Sequence, residues 1–407
     1  MTINKWLEKK EVFKQQPEAY DHGSRRVCKL NKSLYGLKQS SRNWNCKFSE
    51  FLVSEGFVAT PEDHCVFVRK TEQNRNKQRT DQQHLRQEVL IVCLYVDDGL
   101  ICGSNGKAVD AFITKLKCAF EVTVNEPHCY VGMEIQRNRK SKRIPISQKG
   151  YLTRVLDRFG MTESKPISTP MDPSCKLDIE ESKEAFSCPY REAIGCFNYL
   201  SQILRPDITY AVNRLARYSN CPQIVHWNAV KRVMRYLNGT SSYCLEYGPG
   251  SDSDLTGHCD SDWGGDPHEC KSTSGIIFSL NEGPVAWTSR LQSTSAFSSS
   301  DAEYMSLAEA LNECLWLRPF LSSLGHDIDA PTVIRVDNKA AIAMSRNAEF
   351  HKRTKHVGIR YHRVRQEQEE GTVSVEFVSS QLNPADMLTK PVDAVTPTRN
   401  IDLVNIH

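Results

Sequence analysis

Between Val89 and Val96 eight apolar residues follow one another without a break, and the run stops on Asp97 and Asp98. A run of that length predicts a buried strand. Asp98-Gly99 is a hairpin signal, and Leu100-Ile101-Cys102 begins the return strand. Elsewhere the period lengthens to that of a helix. Trp44, Phe48, Phe51 and Leu52 share one face, with Gly56 as the stop. Val109, Phe112, Ile113, Leu116 and Phe120 define a second amphipathic helix. "YVGMEIQRN" reads as a strand, and Tyr151, Leu152, Val155, Leu156 and Phe159 as a helix closed by Gly160. Three further helices are expected over Tyr190–Leu204, Asp207–Tyr218 and Val225–Leu237. Beyond "GPGSDSD" the pattern changes again. Strands in "LTGHCDSDW", "SGIIFSL" and "PVAWTSR" lead to a long helix from Ser300 to Leu324. Strand "TVIRVD", helices "NKAAIAMS" and "HVGIRYHRVRQEQEE", strand "TVSVEFV" and a short helix from Pro384 complete a mixed α/β order.

At 407 residues the chain predicts two to three domains, each able to bury its own core. Apolar content of 39% and charged content of 25% are those of an ordinary globular protein. A net charge of only +3 means that affinity for nucleic acid has to come from local basic patches. No apolar run reaches membrane-spanning length and the first residues lack a signal-peptide core, so an intracellular protein without a membrane partner is expected. The 15 cysteines never fall in C-x-x-C spacing, which argues for reduced packing residues and against zinc. Residues 162–188, rich in Pro, Ser and charge, predict a linker, and Gly248–Asp254 a second boundary. Thr71–Gln87 is polar and reads as an exposed loop. Lys29, Lys32, Lys38, Arg42 and Lys47, interleaved with Tyr35 and Trp44, suit either a phosphate-tracking surface or a solvated face. The basic turn Arg137–Arg143 has the same two readings.

Acids carry the candidate chemistry. Two adjacent carboxylates at a hairpin tip repel each other unless a cation neutralises them, and oxygen ligands suit magnesium. A solvated Asp-Asp-Gly turn is the bland alternative. In the last third of the chain, Asp260 sits mid-strand, where a charge is costly unless paired or ligating. Asp262 shares its face by alternation. Glu303 lies in the first turn of the long helix, where the dipole alone favours an acid. Asp337 precedes a helix and could be its N-cap. Asp386 stands alone near the C-terminus. Hydrolysis of a phosphodiester by two metals needs about four such carboxylates delivered from separate elements.

Longer motifs narrow these alternatives. "YVDD" resembles the catalytic hairpin of reverse transcriptases. "KSLYGLKQSSRNW" resembles the K-x-L-Y-G-L-K-Q-x-x-R-x-W segment of copia-type long-terminal-repeat retrotransposon polymerases, and "VFKQQPEAY" fits the same family. "CDSDWGGDPHECKSTSG" is similar to its S-D-A-D-W-A-G-D…K-S-T-S-G, "DAEYMSL" to E-A-E-Y-M-A-L, "VDNKAAI" to D-N-x-x-A-I, and "ADMLTK" to A-D-x-L-T-K. The resemblance implies α/β and α+β architecture, with a partial reverse-transcriptase palm and thumb followed by a mixed-sheet ribonuclease H-like domain. The implied boundaries are 1–165 for the partial polymerase, 166–250 for a linker and helical thumb or connection, 251–393 for the ribonuclease H-like domain, and 394–407 for a tail. It further implies that Asp260, Glu303, Asp337 and Asp386 hold two Mg²⁺ ions, that Asp97 and Asp98 are the metal-binding acids of the polymerase hairpin, and that Asp262 has a local structural role. An RNA–DNA hybrid and a template–primer are the implied partners. "HKRTKH" resembles the family's H-x-R-T-K-H, which points to hybrid-backbone binding by Arg353 and Lys355, near His351, His356 and His362. A solvated basic helix face fits the same residues.

Four departures qualify the resemblance. Gly358 stands where the family commonly has an acid, and no histidine precedes Asp386 in the loop that carries a mobile catalytic histidine in cellular relatives. Val124-Asn125-Glu126 replaces the usual Asp-Leu-Gly. The third palm aspartate of the family would fall upstream of Met1, as would the fingers. The expected function is therefore cleavage of RNA in RNA–DNA hybrids with polymerisation lost. A catalytically silent nucleic-acid-binding or pseudogene-derived protein is the alternative.

Overall fold

A computed structural model of the chain describes residues 13–16, 26–31, 34, 37, 40–71, 88–177, 186–249, 254–266, 269–281, 283–326, 328–346, 358–391 and 395–406. The expected loop after Thr71 lies outside them, as do His351, Arg353, Lys355 and His356. Two compact units are present. The first is Met1–Val131 with Pro319–Asp327, and the second is Gly132–Arg318 with Ile328–His407.

In the first unit, β1 (Phe13–Gln15) pairs antiparallel with β2 (Val27–Lys29). Helix α1 (Ser40–Ser54) precedes an antiparallel sheet in sequence order: β3 (Val58–Ala59), β4 (Val66–Thr71), β5 (Glu88–Tyr95) and β6 (Asp98–Gly103). Helix α2 (Gly106–Ala119) follows, opened by Asn105, whose side chain accepts from the Lys107 amide at 3.0 Å. The apolar run on β5 does not bury both faces. Leu90, Val92 and Leu94 point into a core shared with Phe48 and Leu52 of α1 and Phe112 and Leu116 of α2, while Ile91 and Cys93 are half-buried. That one-sided packing is the ordinary state of an antiparallel sheet. The hairpin also turns earlier than Asp98-Gly99 suggested. Tyr95 pairs with Asp98, so Val96 and Asp97 make the two-residue turn. Val96 adopts φ 51°, a left-handed conformation that is costly for a β-branched residue. Cys129–Tyr130 forms β7 near the end of this unit.

The second unit combines two small layers with a mixed sheet. Strands β8 (Met133–Ile135), β9 (Ile144–Ser147) and β10 (Cys244–Tyr247) pair antiparallel. Helices α3 (Lys149–Arg158), α4 (Tyr190–Ile203), α5 (Thr209–Ala216) and α6 (Ile224–Gly239) pack around Leu156, Phe197, Leu215, Val230, Val233 and Leu237. Their bounds agree with the helical periodicity to within a residue or two at most ends. Between α4 and α5, Arg205 is buried and bonds Asp207 through Nη2 at 2.7 Å and the Thr240 hydroxyl at 2.6 Å, with Tyr236 donating to Asp207 at 2.8 Å. The expected linker is described over residues 162–177 and 186–188, and the first of these stretches does not run free. It is strapped along α6, where Arg235 bonds the Lys165 carbonyl, Arg232 bonds the Thr169 hydroxyl, and Met171 and Leu177 enter the helical core.

The mixed sheet has the order β13 (Gly283–Leu291), β12 (Thr273–Leu280), β11 (Thr256–Ser261), β14 (Thr332–Val336), β15 (Val373–Phe377). Strand β12 runs antiparallel to β11 and β13, whereas β11, β14 and β15 are parallel. Helix α7 (Ser299–Ser323) buries Tyr304, Leu307, Ala310, Leu311 and Cys314, and α8 (Lys339–Arg346) and α9 (Gly358–Glu369) link the parallel strands. This is the mixed-sheet fold that the element order predicted. Helix α10 (Val395–Leu403) and the residues after it bring Ile401, Val404 and Ile406 into a cluster with Leu204, Leu245, Met387 and Leu388, and Ile406 bridges to Leu245. Among the described residues no helix is long and apolar enough to cross a membrane.

Candidate metal centre

The middle strand of the mixed sheet delivers the first acid. Asp260 lies at the end of β11, 3% exposed, with Gly275 of β12 as its cross-strand partner. The second comes from α7. Glu303 is 6% exposed, and one turn further along the helix Ser306 donates to the Asp260 carbonyl at 2.8 Å, which fixes the helix against the strand. The third follows β14, one residue past its end. Asn338, not Asp337, caps α8, accepting from the Ala340 and Ala341 amides at 2.9 and 3.0 Å. Asp337 is thereby free of capping and takes a hydrogen bond from the Ser380 hydroxyl at 2.7 Å. Asp260, Glu303 and Asp337 each place a carboxylate oxygen within 4.8 Å of the others.

That proximity has an electrostatic consequence. Burial, and then the charges of Asp260 and Asp337, push the Glu303 carboxyl up to about 9, against a backbone hydrogen bond from Ser261. Asp260 is pushed up to about 6, chiefly by burial, with Asp337 and Asp386 adding to it while the Thr389 hydroxyl and Lys390 oppose. The acids are held together at a cost that a cation would relieve. Glu303 Oε2 is buried and has no hydrogen-bond partner, so it is available as a ligand atom. The donors are all hard oxygens on three separate elements. This set fits a divalent cation of the Mg²⁺ type.

Asp386 stands outside the 4.8 Å group. It lies on a 3₁₀ turn, Pro384–Leu388, packed over β11 and β12, and its Oδ1 is paired with Lys390 Nζ at 2.5 Å. Burial opposes the charge on Lys390. The hydrogen bond to Asp386 and the fields of Asp260 and Asp337 nonetheless raise its affinity for the proton. Asp262 is committed locally, accepting from the Thr273 amide across the β11–β12 turn. Asp97 and Asp98 remain on the hairpin of the first unit, where Asp97 Oδ1 is buried without a hydrogen-bond partner and Asp98 is exposed. Among the described residues only Asp260, Glu303 and Asp337 form a group of three or more potential ligands, so no third acid joins the hairpin pair there. Sequence reasoning passed over Thr389, Lys390, Asn383 and Ser306, although the first two lie inside the motif that singled out Asp386. Their signal was present, but only the acid in that motif suggested chemistry.

Comparison with known proteins places these units in context. A family model described as reverse transcriptase (RNA-dependent DNA polymerase) matches residues 3–173. The chain is 38% identical over 408 residues to the retrovirus-related Pol polyprotein from transposon TNT 1-94 of Nicotiana tabacum, covering 98% of this chain and 30% of that protein. It is 35% identical over 393 residues to the corresponding polyprotein from transposon RE2 of Arabidopsis thaliana, covering 95% of this chain and 26% of the relative. The chain thus spans between a quarter and a third of the length of these relatives. Among solved structures, a foamy viral protease-reverse transcriptase in complex with an RNA/DNA hybrid aligns with a TM-score of 0.43 at 9% identity, over 87% of this chain and 40% of that one.

Proposed function

We propose that this chain, which belongs to the retrovirus-related Pol polyproteins of copia-type transposons, hydrolyses the RNA strand of RNA–DNA hybrids at the carboxylate group of its mixed-sheet domain. The observation that carries this reading is the convergence of Asp260, Glu303 and Asp337 within 4.8 Å. Asp260 and Asp386 would hold one Mg²⁺, and Glu303 and Asp337 would complete the set for a second. Bound there, the metal pair would lower the pKa of an attacking water and stabilise charge on the phosphodiester oxygens. The protein's own share is positional. Strand β11 fixes Asp260 in depth, α7 aims Glu303 at it through the Ser306 bond, and Asn338 leaves Asp337 free for the site. The reading extends to two partners, an RNA–DNA hybrid at this domain and a template–primer at the first unit.

The test is cleavage of a labelled hybrid by the purified chain in Mg²⁺, against Asp260→Asn. Loss of at least about a hundredfold in rate is expected, since removal of a ligand displaces the metal. Equal rates in the two proteins would overturn the proposal. Hybrid binding with no cleavage by either would favour a silent nucleic-acid-binding protein.

A further inference from the structure

We propose that Asn383 and Thr389 are a two-point clamp that fixes the Asp386 turn on β11, and that they position this acid against the other three without touching substrate. The inference rests on the reading of the hydrolytic site given above. A 3₁₀ turn of five residues has no ladder of its own to the sheet; Ala385, Met387 and Leu388 bury it in an apolar cluster, and directional placement falls to side-chain bonds at its ends. Both ends have one. Asn383, fully buried, donates through Nδ2 to the Cys259 carbonyl at 2.9 Å and caps the turn by accepting from the Ala385 amide at 3.2 Å. Thr389, also fully buried, donates through Oγ1 to Asp260 Oδ2 at 2.5 Å. The two anchors land on consecutive residues of β11 and bracket Asp386.

A third feature sets the depth at which the turn lies. A Cβ on Gly275 would stand 2.7 Å from the Ala385 carbonyl, 2.7 Å from Thr389 Cγ2 and 2.8 Å from Leu388 Cβ. The turn therefore rests on bare backbone of β12, directly beside Asp260. Thr389 suits this seat better than serine would, because its branched Cβ limits χ1 and its methyl fills the space over Gly275. Its hydroxyl also occupies Asp260 Oδ2, so the orientation of that carboxylate is set from the same turn that carries Asp386. One turn thus fixes two of the four acids.

The experiment uses the full chain and compares Thr389→Val with Thr389→Ser. Mg²⁺ binding is measured by titration calorimetry, and the component lost in Asp260→Asn defines the site's share. Thr389→Val is expected to weaken that component by about ten- to a hundredfold, the usual effect of losing an outer partner of a metal ligand. The circular dichroism spectrum should not change. Thr389→Ser should recover affinity to within about threefold, since it keeps the hydroxyl. Thr389→Ala removes the hydroxyl without adding a methyl, and it carries the test if the valine variant does not fold. Unchanged Mg²⁺ affinity in the valine and alanine variants would overturn the clamp, as would a serine variant no better than valine. Failure of the wild type to cleave hybrid, with the threonine dependence of Mg²⁺ binding intact, would sink the hydrolytic reading and leave the clamp standing.

Discussion

Neutralising Glu303 should stabilise the metal-free protein, even though it removes a proposed metal ligand. Its carboxyl has an ordinary value of 4.5 and is pushed up to about 9 by burial, then by Asp260 and Asp337. The folded state therefore holds this proton more tightly than the unfolded chain does. The contribution of this group to stability is fully present below about pH 4.5 and is lost as pH rises from there towards 9. At pH 7 the chain has crossed about 2.5 pH units of that window, which at roughly 1.4 kcal/mol per unit amounts to about 3 kcal/mol. Glu303→Gln escapes this loss, because an amide stays neutral and still offers an oxygen to the Ser261 amide. Urea unfolding of wild type and variant in a chelator should show the variant more stable at pH 7, with the gap closing near pH 4. Saturating Mg²⁺ should shrink or reverse the gap, since a bound cation rewards the ionised glutamate. Coincident midpoints at pH 7 in chelator would refute the electrostatic account, and so would a gap of equal size at pH 4.

Three other outcomes follow from the same structure. Asp262→Asn should leave the hydrolytic rate within about threefold of wild type, because the amide keeps the acceptor that closes the β11–β12 turn; a collapse in rate would make Asp262 a ligand. Arg205→Met should cost about 3–5 kcal/mol in denaturant, since it leaves Asp207 buried with only Tyr236 as a donor; a loss below about 1 kcal/mol would mean that the pair is dispensable. Primer extension by this chain should be undetectable, the outcome expected from the family resemblance. Mg²⁺-dependent incorporation that disappears in Asp97→Asn would overturn that expectation.

Periodicity placed the elements well and misjudged how they are covered. Helices with one apolar face, such as the one bearing Val230, Val233 and Leu237, were legible because that face has a single destination. Strand β5 was misleading because a continuous apolar run is also compatible with burial on one side, with Ile91 and Cys93 half-buried on the other. Proline and serine between 162 and 177 suggested a linker, yet the Lys165 carbonyl and the Thr169 hydroxyl in that stretch serve as partners for the arginines of α6. Composition records that a stretch lacks regular structure. It does not record whether a neighbouring helix supplies donors for it. The C-terminal residues hid for the opposite reason. Ile401, Val404 and Ile406 are too few to signal a core until Leu204 and Leu245, distant in sequence, are brought beside them.

The acids of the candidate site divide along the same physical line. Asp260, Glu303 and Asp337 were each ambiguous alone and became readable only through the motifs that carry them, in order, along the chain. A buried aspartate near the end of the central strand, a buried helical glutamate and a carboxylate just past a parallel strand repel one another once the fold brings them together, and a cation would relieve that cost. Asp386 differs. Its turn has no periodicity, and its position is set by Asn383 reaching Cys259, Thr389 reaching Asp260 and the missing Cβ of Gly275, all more than a hundred residues away in sequence. None of those three is charged, and none would attract attention as chemistry. The geometry of a metal site is thus written partly in neutral residues whose only role is to hold a turn at the right depth. In this chain Ala385, Met387 and Leu388 bury the turn in an apolar cluster, and the neutral residues at its two ends add the directional bonds that fix it against the strand carrying Asp260.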